Sequence, residues 1–186
     1  MNVNRLAALL LLVGVAGCNR TPPPVDGPAP VATLHDIMKS VVDPSSAAVW
    51  KVPDSITDPA KAKPTPAQLD TDWANLRRSA VALAEAPNLL VMEGRKVNAP
   101  GVKLQDEGLE GNLAAPEIEK RIAADRPRFL TLAKGLQTAT LVTIAAIDAR
   151  NPQALEDAGG KIDEACEACH QAYWYPSKPG AAPAKP

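Results

Sequence analysis

The 186-residue chain is poor in aromatic side chains, at 3%, and nowhere does it alternate apolar and polar residues for the length of a strand. Strands favour aromatic and β-branched residues with a period of two, so no sheet is expected. There is no excess of positive charge: the net charge is −1, which gives no ground for a nucleic acid partner or an anionic lipid surface. Cysteine is scarce as well. Of the three, Cys166 and Cys169 lie too close in sequence to staple a fold, so a disulfide framework is excluded. The longest apolar run, Leu6 to Ala16, falls short of the roughly 20 residues that a membrane span needs. No repeat of solenoid length is visible. What the chain does have is Ala, Leu, Lys and Glu, which favour helix, and 46% hydrophobic residues, enough for one core.

The apolar run follows Arg5, as in an export signal, and residues 1–17 read as a signal peptide. It closes on Val15-Ala16-Gly17-Cys18, which resembles the bacterial lipobox. The resemblance implies that Cys18 is acylated, becomes the mature N-terminus and anchors the chain at the periplasmic face of a bacterial membrane. Ordinary cleavage, leaving a free Cys18 thiol, is the alternative. Residues 18–30 hold Pro22, Pro23, Pro24, Pro28 and Pro30, the composition of an extended spacer. Residues 176–186, rich in Pro, Ala and Lys, are expected to be a disordered tail.

Between them, residues 31–175 show four helical segments. The first is expected over 31–42, with Leu34, Ile37, Met38 and Val41 on one face, an interruption at Asp43-Pro44, and a short turn on to Trp50. The second opens at Thr65-Pro66-Ala67-Gln68, a capping box with proline at the first helical position. Its stripe is Trp73, Leu76, Ala80, Leu83, Pro87, Leu90 and Val91, whose continuation past Pro87 implies a kink rather than a stop. Residues 94–115, with four glycines and Pro100, read as an irregular connection. A short helix over 116–125 precedes Pro127. The third stripe is Phe129, Leu132, Leu136, Thr140, Thr143, Ile144 and Ile147. Asn151-Pro152 starts the fourth helix, whose inner face is Leu155, Ala158, Gly159, Ile162, Cys166, Cys169, His170 and Tyr173. Four inward stripes predict an all-α, antiparallel four-helix bundle.

Cys166-Glu167-Ala168-Cys169-His170 has the C-x-x-C-H pattern of covalent haem attachment. On a helix these three side chains share a face, so two thiols reach one porphyrin and the imidazole after them points at its iron. Three other readings compete. A dithiol redox pair usually opens a helix after a strand, and this motif sits late in a helix. Half a zinc site would need partners that a chain with two histidines and no second cysteine pair hardly supplies. Chance is the third. The export signal weighs against all of them.

A C-x-x-C-H motif near the end of a four-helix domain resembles the class II c-type cytochromes, the cytochrome c-prime family. The resemblance is strongest from Leu155 to Trp174 and weaker from Val31 to Met38 and along the third helix. It implies one covalent haem c near the C-terminal end of the last helix, His170 as the proximal iron ligand, and pairing into homodimers in some members. Trp174 departs from it, standing where the family often has Arg, and so does the long 94–115 connection. Some members leave the distal side open; others place a Met from the first helix there, and Met38-Lys39 matches that pattern. At about 100° per residue, Met38 falls within the apolar arc of the first helix and His35 about 60° beyond it. The distal position therefore lies between Met38, His35 and a vacancy, with Met92 a remote candidate. Met38 as a packing residue is the plain alternative. Trp50, Trp73, Phe129 and Tyr173 are candidates for packing around the ring, with ordinary core packing an equal alternative for each. The expected function is one-electron transfer to and from redox partner proteins, without enzymatic turnover. The alternatives are a five-coordinate haem protein that binds NO or CO and a haem-free thiol-disulfide oxidoreductase.

Overall fold

The computed structural model describes residue 27 and residues 29–176. The expected signal peptide 1–17, the acylation site Cys18, most of the 18–30 spacer and the tail beyond residue 176 lie outside the described residues.

Helix α1, Leu34–Ile37, starts later than the apolar pattern suggests because Thr33 caps it. The Asp36 amide donates to Thr33 Oγ1 at 3.0 Å and the Thr33 amide to Asp36 Oδ2 at 2.9 Å. Asp43-Pro44 does not interrupt the helical path. A π-helical turn, Met38–Val42, runs directly into α2, Asp43–Trp50. Proline at 44 lacks an N–H, and its ring would meet the carbonyl of Ser40 in a regular helix. The wider turn, in which the Asp43 amide bonds the Met38 carbonyl, takes up that conflict, and Pro44 then sits in the first turn of α2. Two short helices not expected from the sequence come next: α3, Asp54–Thr57, and α4, Pro59–Ala62. Asp58 caps α4 ahead of Pro59, which is a local start signal in the sequence itself.

Helix α5, Pro66–Leu90, is capped by Thr65 and carries Pro87 within it. Its buried face is Trp73, Leu76, Ala80, Leu83, Ala84, Ala86, Pro87 and Leu90, nearly the expected stripe; Val91 lies just past its end. Helix α6, Ala115–Ala124, is followed after Asp125 by α7, Arg126–Asp148. Helix α8, Pro152–Tyr173, begins where Asn151 accepts the Ala154 amide at 3.1 Å. Among the described residues there is no strand, only an isolated bridge between Glu107 and Leu109.

The first helical segment with α5, α7 and α8 makes an antiparallel four-helix bundle. Helix α7 packs on α5 and α8, and α2 packs on both of the same helices, which closes the ring. Leu83, Leu155 and Ile162 are fully buried at its centre, with Thr140 and Thr143. Those two hydroxyls donate to the carbonyls of Leu136 and Ala139 at 2.8 and 3.2 Å, so their burial leaves no donor unpaired. Helix α7 is long and apolar enough to cross a membrane by length and composition, but here it is packed between two partners.

The connection after α5 is part of the fold rather than a loose spacer. The Leu34 and His35 amides donate to the carbonyls of Lys96 and Val97 at 2.8 and 3.0 Å. Val97 joins Ile118, Phe129 and Tyr173 in a second, smaller core over the end of α8. Arg95 holds the connection down, donating to Leu89 O at 2.7 Å and to Ala32 O.

Candidate functional site

The last two turns of α8 face an apolar cavity of about 250 Å³ that opens to solvent. Cys166, Cys169, His170 and Tyr173 line it from α8, because steps of three and four residues bring them to one face. The first helical segment supplies the facing wall with Leu34, His35, Met38, Val42 and Trp50. Helix α7 adds Phe129, Leu132 and Leu136; the long connection and α6 add Val97, Leu104, Ile118 and Ile122. The two cysteines, His170 and both candidate distal residues thus share one cavity.

The candidates divide here. Trp73 is buried in the core of the bundle and does not reach the cavity, whereas Trp50, Phe129 and Tyr173 do. Met92 lies beyond the end of α5, its sulfur accepting from Arg95 at 3.2 Å, away from the cavity wall. The 94–115 connection is irregular, as expected, and it also walls the site through Val97 and Leu104. Their signal is an isolated apolar residue in a glycine-rich stretch, which has no period to reveal it.

Cys166 and Cys169 are both free thiols. Burial, then the carboxylate of Asp163, pushes the Cys166 thiol up to about 11, and burial pushes Cys169 up to about 11. Both are therefore protonated at neutral pH. A dithiol redox pair needs the opposite, a thiol lowered towards the thiolate. Burial holds His170 below the usual imidazole range, against the pull of Glu167 and Asp43, so its ring is neutral with a lone pair free to bind metal. Among the described residues no three His, Cys, Asp or Glu side chains converge as a closed zinc site requires.

The residues present fit a covalently held porphyrin. The cavity is apolar, two protonated thiols stand one helical turn apart, a neutral imidazole comes directly after the second, and a thioether lines the same cavity from another helix. Trp174, at the wall, has a buried indole Nε1–H without an acceptor among the described residues. A buried donor left unpaired marks a place where a further polar group completes the site.

No family model and no curated protein matches the chain. Among solved structures it is similar to the nitric oxide complex of a mutant of cytochrome c prime from Alcaligenes xylosoxidans. The identity is 20% and the TM-score 0.45, covering 77% of this chain and 97% of that chain.

Proposed function

We propose that the chain is a class II c-type cytochrome: a one-electron carrier with a single haem c bonded through Cys166 and Cys169, exported and anchored through an acylated Cys18. One observation carries the reading. The thiols of Cys166 and Cys169, the imidazole of His170 and the thioether of Met38 line a single apolar cavity.

The division of labour derives from the side chains. Cys166 and Cys169 would hold the ring to α8 through thioether bonds. His170 would hold the metal through a neutral ring nitrogen. Met38 would be the second protein ligand, and a Met/His pair raises the reduction potential relative to harder donors. The walls from α6, α7 and the long connection exclude water. Trp174 offers a neutral donor where the resembled family often has a charged one. Bound in this way, the haem supplies a one-electron iron couple. Trp50, at 48% exposure, stands where the cavity meets solvent, the edge open to a redox partner. Partners of that kind, a periplasmic location and pairing into a homodimer belong to this proposal. Two or more acyl chains would hold the anchor, each buried CH₂ contributing about 0.8 kcal/mol.

Haem staining after denaturation and the absorption spectrum test it. The purified chain is expected to retain haem through denaturation, and Cys166→Ala with Cys169→Ala to abolish the stain. Staining that persists in the double variant rules the assignment out. A low-spin spectrum with a Met-to-iron band supports the carrier. A high-spin spectrum that shifts with carbon monoxide supports gas binding instead.

A further inference from the structure

His170 sits inside a cluster of rings. Its imidazole meets Trp174 edge to face, centroids 5.3 Å apart at 88°, and Tyr175 at 5.9 Å. Trp174 and Tyr175 are themselves 5.4 Å apart. The backbone draws them there: the amides of Trp174 and Tyr175 both donate to the His170 carbonyl, at 2.7 and 3.1 Å. The Leu113 amide, donating to the Trp174 carbonyl at 2.8 Å, pins this end of the helix to the long connection.

Glu167 lies three residues before His170, a spacing that makes them neighbours on the helix surface. It is near enough to favour the charged imidazole. Yet both its oxygens are engaged elsewhere. Tyr175 Oη donates to Oε2 at 2.6 Å, and Gln171 Nε2 donates to Oε1 at 2.7 Å. No hydrogen bond from the His170 ring is present among the described residues. A metal-bound histidine commonly donates its other ring N–H to a carboxylate, which makes it a more basic ligand. Here the Glu167 carboxylate is already held by two donors that turn it to other partners.

We infer that Tyr175 is a positioning residue that withholds Glu167 from the His170 imidazole, keeping the axial ligand a weakly donating one. This rests on His170 being the proximal ligand. An imidazole drawn into a hydrogen bond with a carboxylate donates more electron density and favours ferric iron, so the reduction potential falls. Tyr175, by holding Glu167, keeps the potential up. Gln171 holds the other oxygen, so loss of Tyr175 frees Oε2 alone.

The experiment uses the holoprotein, full-length, as wild type, Tyr175→Phe, Glu167→Gln and the double variant. The reduction potential and the proton resonance of the His170 ring N–H in the ferrous state are measured for each. Tyr175→Phe is expected to lower the potential and move the ring N–H downfield, the mark of a new acceptor. Adding Glu167→Gln should return both to near wild type. An unchanged potential in Tyr175→Phe overturns the inference, as does a shift that survives in the double variant, since Tyr175 would then act by some route other than Glu167. Denaturing haem stain separates the levels: no covalent haem overturns the underlying reading together with this one, whereas bound haem with an unmoved potential overturns this one alone.

Discussion

Replacing Met38 by Leu separates its two possible roles. Met38 is half-buried, lines the cavity and packs against Ile37, Val42 and their neighbours in the main core. Leu has nearly the same volume, and volume-conserving swaps of this kind usually cost less than about 1.5 kcal/mol. For a domain of about 150 residues, each kcal/mol lowers Tm by about 2–4 °C, so the packing loss is at most about 3–6 °C. If Met38 only packs, that small fall is the whole effect. If its thioether binds the iron, the spectrum changes regardless: the low-spin form gives way to high spin, the Met-to-iron band disappears, and carbon monoxide binds to the vacated position. Covalent haem should remain, because the thioether links to α8 are untouched. His35→Ala serves as the comparison, since His35 lines the same cavity and is the other candidate. A Met38→Leu protein whose low-spin spectrum is unaltered refutes the ligand assignment, and a spectral change confined to His35→Ala transfers the role to that residue.

Two further predictions concern stability. Ile162 is fully buried on α8 one turn before Cys166, so Ile162→Ala should cost about 2–5 kcal/mol, and a loss of about 3 kcal/mol should lower Tm by about 6–12 °C in a thermal melt. A smaller drop would mean that the bundle core collapses readily around the lost side chain. Asp148 is held below the ordinary carboxylate range by the hydrogen bond from Arg77, 2.7 Å away, and then by its charge. A carboxyl whose folded pKa is depressed adds stability above its unfolded pKa and loses it as pH falls through the folded one. Asp148→Asn should therefore flatten the Tm–pH curve below about pH 4 and leave its shape above about pH 5 alone, with the difference shrinking in high salt because the pair is exposed.

How much could be read in advance depended on period and caps. Helices α5, α7 and α8 were legible because apolar residues recur every three or four positions between plain start signals, Thr65-Pro66 and Asn151-Pro152. The shared face of Cys166, Cys169 and His170 came from the same geometry. Met38 could be placed on the apolar side of its helix, because the residues up to it wind regularly. Asp43-Pro44 announced a disturbance of this helix, but not that it would take the form of a wide turn beginning at Met38 rather than a break. The walling of the cavity by Val97 and Leu104 could not be foreseen, because it depends on where a glycine-rich chain is tied down, here by backbone bonds from Leu34 and His35. Trp73 and Trp50 show the remaining limit. Both are large aromatics on or next to inward faces, and only their depth in the bundle separates core from cavity mouth.

The wide turn is also where backbone and site are coupled. One residue of helical phase is worth about 100° of rotation, so the π turn Met38–Val42 lets α1 and Met38 face the cavity while α2 keeps Val49 in the core and Trp50 at the mouth. Pro44 supplies a reason for that turn, because a regular helix would drive its ring into the Ser40 carbonyl. Pro44→Ala removes the conflict and permits the regular helix. With α2 anchored against α5 and α8, the relaxation would fall on α1 and rotate Met38 off the cavity wall. The expected outcome is a mixture of low-spin and high-spin haem, with the Met38→Leu spectrum as the reference for complete loss of ligation and carbon monoxide binding to the high-spin fraction alone. A Pro44→Ala protein that stays wholly low-spin would show that the buried contacts of Ile37 and Val42, not the proline ring, hold the turn open.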